Sequence, residues 1–353
     1  MIDTEHALAE LVSVLRQAPW VAMDTEADSL HAYPEKLCLI QLALPGQDEL
    51  IDPLAALDLG PLWKALAHQE LIMHGADYDL RLLRRCAGFL PSRLFDTMLA
   101  ARLLGYKRFG LTDLVAHHFG VHWEKGPQKA NWARRPLTPR MAAYARNDVH
   151  YLKPLADLLR SQLAEKHRLA WHQECCARLI QEAADVRAPD PSTVWRVKGS
   201  HKLGPKGLAV LREIWQWREA EAVAANKPPF FVLPTDTMVQ LAQAAEQSNA
   251  VTEAQLPSHL SPRRRQGLLH AIEKGRTTPH LPEVLRTKGW RLTDAQRQRL
   301  HELTQRRDRQ ATRLGIDPTL IASRALLVLL ARDWDAHQGQ LMSWQRALLT
   351  GSD

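Results

Sequence analysis

The stretch VAMDTEAD, residues 21–28, decides the fold, because it joins a short apolar run to a pair of carboxylates. The apolar run ends at Met23 and predicts a buried strand. Side chains two residues apart on a strand point to the same face, so Asp24 and Glu26 are expected to project together from the end of this strand. The chain therefore offers two acidic groups on one side of a sheet.

Two further stretches carry acidic residues that could meet this strand. In LIMHGADYDLRLL, residues 71–83, a short apolar run predicts a second strand, and Asp79 falls in the first turns of a helix that follows it. In AAYARNDVHYL, residues 142–152, Tyr144 and Asp148 are four residues apart, which places both on one helical face. One strand, one helix start and one helix face could thus meet at a single point.

Each acidic piece taken alone has an ordinary explanation. Acidic residues after a strand are usually solvated turn residues, and an acid in a first helical turn often only complements the helix dipole. Four carboxylates held together, however, repel each other and lose hydration, so such a cluster makes sense mainly around hard divalent cations such as Mg²⁺ or Mn²⁺. Two such ions activate water and stabilise a leaving oxygen, which indicates a phosphodiester substrate.

These motifs resemble those of the DEDD exonucleases, and within them the ribonuclease D group with its tyrosine variant of the third motif. The matching text is DTEAD, then HGADYDL, then Y-x-x-x-D, with KLCLIQLAL, LFDTMLAARLLGY and QKANWARRPL between them. The resemblance covers nearly the whole chain. It implies a ribonuclease H-like α/β fold with a mixed sheet and a 3′ to 5′ exoribonuclease that releases nucleoside 5′-monophosphates.

The resemblance also assigns roles to residues. The family's second ligand follows the H-G-A histidine by five positions, which selects Asp79 over Asp77. The other branch of the superfamily has a histidine where this chain has Ala143, so the tyrosine variant applies. By this resemblance Asp24 bridges two ions, Glu26 and Asp148 hold the ion that activates water, Asp79 holds the second ion partly through water, and Tyr144 orients the attacking water.

Basic and aromatic residues precede the third motif in a loop-like stretch, which suits a single RNA strand that threads toward the metals. The residues of this stretch are Lys125, Gln128, Lys129, Trp132, Arg134 and Arg135. We expect contacts with RNA from Lys125, Gln128, Trp132 and Arg135, and from His74 of the second motif.

Length and charge favour several domains and a nucleic-acid partner. The chain has 353 residues and a formal net charge of +7, and the excess of basic residues lies beyond residue 188. Helical periodicity runs from about Thr138 past Arg178, interrupted at Pro154, and ends before APDPST. Two similar all-α blocks follow and look like HRDC modules, so the predicted domains are an exonuclease domain at 1–188 and HRDC-like domains at 189–280 and 281–353.

Other features narrow the setting. Four cysteines lack C-x-x-C spacing, no signal peptide or long apolar stretch is evident, and no G-x-G-x-x-G follows the first strand. We therefore expect a cytoplasmic protein without membrane association or nucleotide cofactor, and the family resemblance favours a monomer that acts on tRNA precursors with 3′ extensions. The alternatives are a 3′ to 5′ DNA exonuclease, or a non-catalytic protein that binds nucleic acid through its basic helical half.

Overall fold

The structure is a computed structural model, and it describes residues 1–123, 126–185, 190–247, 251–284 and 291–351. The described residues form two compact units. The first contains residues 1–27, 37–123, 126–185 and 291–351, and the second contains residues 28–36, 190–247 and 251–284.

A five-stranded mixed sheet lies at the centre of the first unit. Its strands are β1 (Val21–Ala27), β2 (Leu37–Leu44), β3 (Gln47–Ile51), β4 (Glu70–Met73) and β5 (Arg93–Asp96), in the order β3-β2-β1-β4-β5. β1 pairs antiparallel with β2 and parallel with β4, while β3 and β5 extend the two sides. The mixed sheet predicted from the sequence is confirmed, and β1 with its two acids is its central strand.

Helices cover both faces of the sheet and build the rest of the described chain. They are α1 (Glu5–Leu15), α2 (Gly60–Leu66), α3 (Asp77–Ala87), α4 (Thr97–Leu104), α5 (Leu111–Phe119), α6 (Pro139–His150), α7 (Leu152–Glu165), α8 (Leu169–Ala184), α9 (Pro205–Ala225), α10 (Pro229–Val232), α11 (Thr235–Gln247), α12 (Pro262–Thr277), α13 (Asp294–Leu314), α14 (Pro318–Ile321), α15 (Arg324–Arg332), α16 (Trp334–His337) and α17 (Ser343–Thr350). Short 3-10 helices lie at Ser200–Lys202, Glu253–Gln255 and Gln338–Gln340.

The predicted interruption of the long helical stretch at Pro154 is wrong. Pro154 is the third residue of α7, where the backbone N–H that proline lacks would have no helical partner in any case. The chain instead breaks at Tyr151, between α6 and α7, and again before α8, where His167 has a φ of 54°. Three separate helices therefore replace one interrupted helix.

The last five helices share a core with the central sheet. Buried residues of β1, β4, α4 and α7 belong to one hydrophobic cluster with Leu303, Leu330 and Leu349. The rings of Trp171 in α8 and Trp344 in α17 stack at 4.7 Å between centroids. Helices α13–α17 are thus packed as part of the first unit.

The second unit has its own core. Buried residues of α9, α11 and α12 pack around Leu211, Ile214 and Met238. The segment 28–36 belongs to this unit, and its Tyr33 hydroxyl donates a 2.5 Å hydrogen bond to Glu219 in α9. Within the described residues, the helices are too short or too polar to cross a membrane.

Candidate active site

The two acids of the first motif share a face of the central strand, as predicted. Asp24 pairs with Gln41 and Glu26 pairs with Leu39 in the antiparallel register of β1 and β2. Met23 and Thr25 alternate with them and are buried. Because strand side chains alternate between faces, Asp24 and Glu26 point together toward α6, which packs across β1, β2 and β3.

Helix α6 carries the third motif to this face. Thr138 caps its N-terminus by accepting a hydrogen bond from the Met141 N–H at 3.2 Å, and Pro139 occupies the first turn. Its apolar face, with Met141 and Ala145, is buried. Carboxylate oxygens of Asp24, Glu26 and Asp148 lie within 4.8 Å of one another. The structure thus brings three of the four acids named from the sequence into one group.

Asp79 lies beside this group, buried at the start of α3. Its carboxylate accepts a hydrogen bond from the Thr25 hydroxyl, so the first and second motifs are directly joined. Asp77 is instead half exposed and pairs with Arg81 at 2.7 Å. The choice of Asp79 over Asp77 therefore agrees with the side of α3 on which each residue lies.

Burial and mutual repulsion raise the pKa of these acids when no cation is nearby. Burial, with the charges of Asp79, Asp148 and Glu26, raises the pKa of Asp24 well above its usual range. The same two causes raise the pKa of Glu26 to about 9, while burial raises that of Asp148 to about 7 and that of Asp79 to about 6. An all-oxygen group that resists ionisation fits a hard divalent cation, which would replace the protons.

A buried amide next to Asp24 supports the same conclusion. Gln41, the cross-strand partner of Asp24, is fully buried, and neither polar atom of its side chain has a hydrogen-bond partner among the residues that the structure describes. Leaving an amide unpaired in the interior costs about 1–3 kcal/mol. Paired residues of antiparallel strands share a face, so the Gln41 amide faces the same space as the carboxylates.

Tyr144 is held tightly as a neutral phenol. Its hydroxyl donates to Asp148 and accepts from the Gln128 amide, while burial and the Asp148 charge raise the pKa of the phenol above its usual value. The Gly126 backbone approaches the ring so closely that any added Cβ would overlap it, and the Trp132 ring lies 6.1 Å away. A phenol fixed in this way can position a water molecule but cannot serve as a base near neutral pH.

The expected RNA contacts of Trp132 and Arg135 are corrected by the structure. Trp132 is only 1% exposed and has no free face on which a base could stack. Arg135 forms two 2.5 Å hydrogen bonds with Asp52 and a 2.7 Å bond to the Cys38 carbonyl. Burial alone would raise the pKa of Asp52, but the bonds from Arg135 outweigh it and lower that pKa. Both side chains hold the loop before α6 against the sheet.

The other residues of this loop differ in their positions. Gln128, Lys129 and Arg134 are exposed, and Gln128 reaches Tyr144 as described above. Lys125 lies outside the described residues.

His74 sits between β4 and α3 as a neutral imidazole. Its Nδ1 lies 2.9 Å from the Thr97 hydroxyl, which donates its own proton to the Met73 carbonyl at 3.1 Å. Because that hydroxyl proton is used, Nδ1 must be the protonated nitrogen, and Nε2 is an acceptor. Burial lowers the pKa of His74, so it carries no charge at neutral pH. A contact with RNA stays a prediction.

Sequence reasoning gave no role to Asp96, which fixes the second motif. This fully buried carboxylate caps α4 by accepting from the N–H groups of Met98 and Leu99 at 2.8 and 2.9 Å. It also accepts from the N–H groups of Gly75 and Ala76 at 3.1 and 2.8 Å, immediately before α3. An aspartate between an apolar strand and a helix, in LFDTMLAA, was the available signal. Thr25, Gln41 and Gly126 carried no comparable signal.

Comparisons with known proteins agree with this geometry. A family model described as 3′-5′ exonuclease matches residues 1–164, and an HRDC domain model matches residues 207–251. Ribonuclease D of Zymomonas mobilis is 32% identical over 96% of this chain and 83% of its own length. That of Pseudomonas paraeruginosa is 30% identical over 98% and 94%.

The fold is also similar to that of a solved ribonuclease D. The crystal structure of Escherichia coli RNase D, described as an exoribonuclease involved in structured RNA processing, matches with a TM-score of 0.76 and 26% identity, over 100% of this chain and 98% of that one. These matches support an enzyme over a non-catalytic binding protein. The chain belongs to the ribonuclease D family and is a metal-dependent 3′-5′ exoribonuclease.

Proposed function

We propose that this enzyme removes nucleotides one at a time from RNA 3′ ends with two divalent ions, Mg²⁺ or Mn²⁺. The observation that carries the proposal is the group formed by Asp24, Glu26 and Asp148, with Asp79 beside it. Asp24 is close enough to the other three acids for their charges to raise its pKa, and it would contact both ions. Glu26 and Asp148 would hold one ion, and Asp79 would hold the second. Two ions bound here would activate the attacking water and stabilise the leaving 3′ oxygen.

Tyr144 would position the attacking water. Its hydroxyl donates to Asp148, and its oxygen accepts from Gln128, so the phenol is aimed at the carboxylates. Because the raised pKa keeps this phenol protonated, it would act through geometry. Such positioning contributes to rate by holding the reacting atoms within attacking distance.

Gln41 would contribute an uncharged polar group next to Asp24. Its unpartnered amide shares a face of the sheet with Asp24 and is fully buried, so only water that enters together with the cations would satisfy its donor and its acceptor. The amide is neutral and so adds no further repulsion to a crowded acidic group. We therefore propose that Gln41 orders water beside Asp24.

The proposed substrate is structured RNA, with tRNA precursors that carry 3′ extensions as the leading case. The ribonuclease D of E. coli is described as acting in structured RNA processing. The region 291–351 carries ten basic residues, all arginines, against six acidic ones. Guanidinium groups bind phosphate in a bidentate way, so these helices suit the backbone of an RNA body.

The same proposal includes the organisation of the chain. An exonuclease domain at 1–188 would be followed by HRDC-like domains at 189–280 and 281–353, in a monomer that works in the cytoplasm. The second HRDC-like domain would be one that shares its core with the exonuclease domain. The HRDC match at residues 207–251 supports the middle domain. Free thiols at all four cysteines support a reducing compartment.

Hydrolysis of 3′-extended tRNA by the wild type and by Asp148→Asn tests the proposal. The control is Asp157→Asn, an exposed carboxylate on α7 that pairs with Lys153. We expect mononucleotide release from the wild type and the control only when Mg²⁺ or Mn²⁺ is present, and none from Asp148→Asn. Metal-independent activity, endonucleolytic fragments, or faster hydrolysis of a DNA strand of matched sequence would contradict the proposal.

A further inference from the structure

A cavity of about 720 Å³ opens beside α5 in the first unit, apart from the carboxylate group. Its size lies within the range of sites that bind small ligands and is ample for one nucleotide. The residues that matter for its chemistry are Tyr106, Arg108, Asp113, His117, His122 and Trp123.

One lining residue of this cavity contacts a residue close to the active site. The Trp123 ring packs against Tyr151 with 5.4 Å between centroids, and Tyr151 follows α6 three residues after Asp148. Gly126, three residues after Trp123, packs on the ring of Tyr144. Through Trp123 the cavity thus contacts Tyr151, which lies about one helical turn along the chain from Asp148.

The lining offers the groups that a nucleotide needs. Trp123 and Tyr106 provide aromatic surface, and the imidazoles of His117 and His122 are exposed. The His117 ring contacts Tyr106 and His118 edge-on, and the exposed remainder of this ring and that of His122 are open to a ligand. Aromatic and imidazole rings stack on bases of any sequence, and each such contact is worth about 1–3 kcal/mol.

A positively charged side chain, Arg108, lines the same cavity. Arg108 forms an ion pair with Asp113, and its side chain is 82% exposed. A guanidinium has five N–H donors, so this pairing leaves donors for a phosphate. Base surface and phosphate donors therefore occur together beside a nuclease site.

We propose that this cavity binds one unpaired nucleotide of the RNA strand, upstream of the bond that is cut. Its base would stack between Trp123 and the exposed imidazoles, and Arg108 would contact its phosphate. This inference rests on the proposed function, because the strand enters the cavity only when its 3′ end lies at the carboxylates. The consequence is that overhangs long enough to reach the cavity are bound more tightly than shorter ones.

The test compares kcat/KM for 5′-labelled oligoadenylates of two to ten nucleotides. The variant is His117→Ala with His122→Ala, and the control is His6→Ala with His68→Ala, two exposed histidines of the same unit. In the wild type and the control, kcat/KM is expected to rise with length up to a plateau. In the variant, the ratio between ten and two nucleotides is expected to fall by about tenfold.

An unchanged length dependence in the variant would overturn this inference. Inhibition of the wild type by 5′-AMP that the variant resists would support it, because a cavity that takes one nucleotide of the strand would also take that nucleotide when it is free. A wild type that cleaves none of these RNAs with Mg²⁺ or Mn²⁺ would instead contradict the proposed function itself.

Discussion

The first unit holds one buried carboxylate, Asp96, and one group of half-buried carboxylates, and the two differ in what surrounds them. Asp96 is fully buried, yet it accepts four backbone N–H hydrogen bonds, from Gly75, Ala76, Met98 and Leu99. Asp24 and Glu26 are surrounded mainly by other carboxylates, and their pKa values are raised by burial and repulsion. Acidity alone therefore does not identify a metal site in this chain.

Asp96 and the carboxylate group differ in the source of the positive charge that compensates them. For Asp96 the protein supplies it, through the partial charges of N–H groups at the start of two helices. For the carboxylate group the protein supplies little, so protons or cations must do so. Removing a carboxylate should thus have opposite consequences in the two places, and the following outcomes would separate them.

The largest effect is expected for Asp24→Asn. Without the Asp24 carboxylate no side chain would contact both ions, so activity on RNA with Mg²⁺ should fall by about 10³-fold or more. The fold should survive, because repulsion is relieved, and in EDTA near pH 8 thermal unfolding should occur at the wild-type temperature or above it. A variant that lost both activity and stability would show that Asp24 is a structural acid like Asp96.

A large loss of stability is expected for Asp96→Ala. Four buried N–H groups would lose their acceptor, which should lower the free energy of unfolding by about 3–5 kcal/mol in urea titrations. Asp317→Ala is the matched control, because Asp317 caps α14 from an exposed position, and about 1 kcal/mol is expected there. Equal losses in the two variants would contradict the role assigned to Asp96.

A smaller effect on activity is expected for Tyr144→Phe. The phenyl ring keeps its packing against Gly126 and Trp132, while the hydroxyl that donates to Asp148 is lost. We expect kcat to fall by about 10²-fold with little change in KM. Tyr78→Phe, on the exposed side of α3, should leave kcat unchanged. A raised KM with normal kcat would assign Tyr144 to RNA binding instead.

The smallest expected effect is that the increase in unfolding temperature caused by Mg²⁺ depends on pH. The folded-state pKa values of Asp79, Asp148 and Glu26, about 6, 7 and 9, exceed those of the unfolded chain. These groups therefore favour the folded state at low pH, and that contribution is lost as pH rises from about 4, the usual pKa of an unfolded carboxyl, to their folded-state values of about 6, 7 and 9. Bound Mg²⁺ compensates most where the acids are ionised, so it should raise the unfolding temperature by a few degrees more near pH 8.5 than near pH 5.5. An equal increase at both pH values would show that Mg²⁺ binds elsewhere.

The sequence was sufficient for the parts of the site that local geometry controls. Alternation along a strand put Asp24 and Glu26 on one face, and helical spacing joined Tyr144 to Asp148. These relations hold within one element, so the fold could hardly change them. The mixed sheet followed from strand-like runs and from the resemblance to known exonucleases.

What the sequence could not reveal depends on contacts between distant segments. Trp132 and Arg135 look like an RNA-binding pair in a basic loop, but Arg135 is bound by Asp52, 83 residues earlier. The four partners of Asp96 come from two helix starts about 20 residues apart. Such pairings are set by tertiary packing, and neither composition nor spacing encodes them locally.

The core that α13–α17 share with the sheet limits how this enzyme can be divided. Leu330 and Leu349 are buried in one cluster with Phe95 and Leu155, so cutting the chain before α13 would expose apolar surface on α4 and α7. A shortened nuclease of that kind should aggregate unless the exposed face is redesigned. By contrast, α9, α11 and α12 enclose a core of their own. In evolution, the helices of the second unit are therefore the ones that related genes could exchange or lose with less damage to the catalytic sheet.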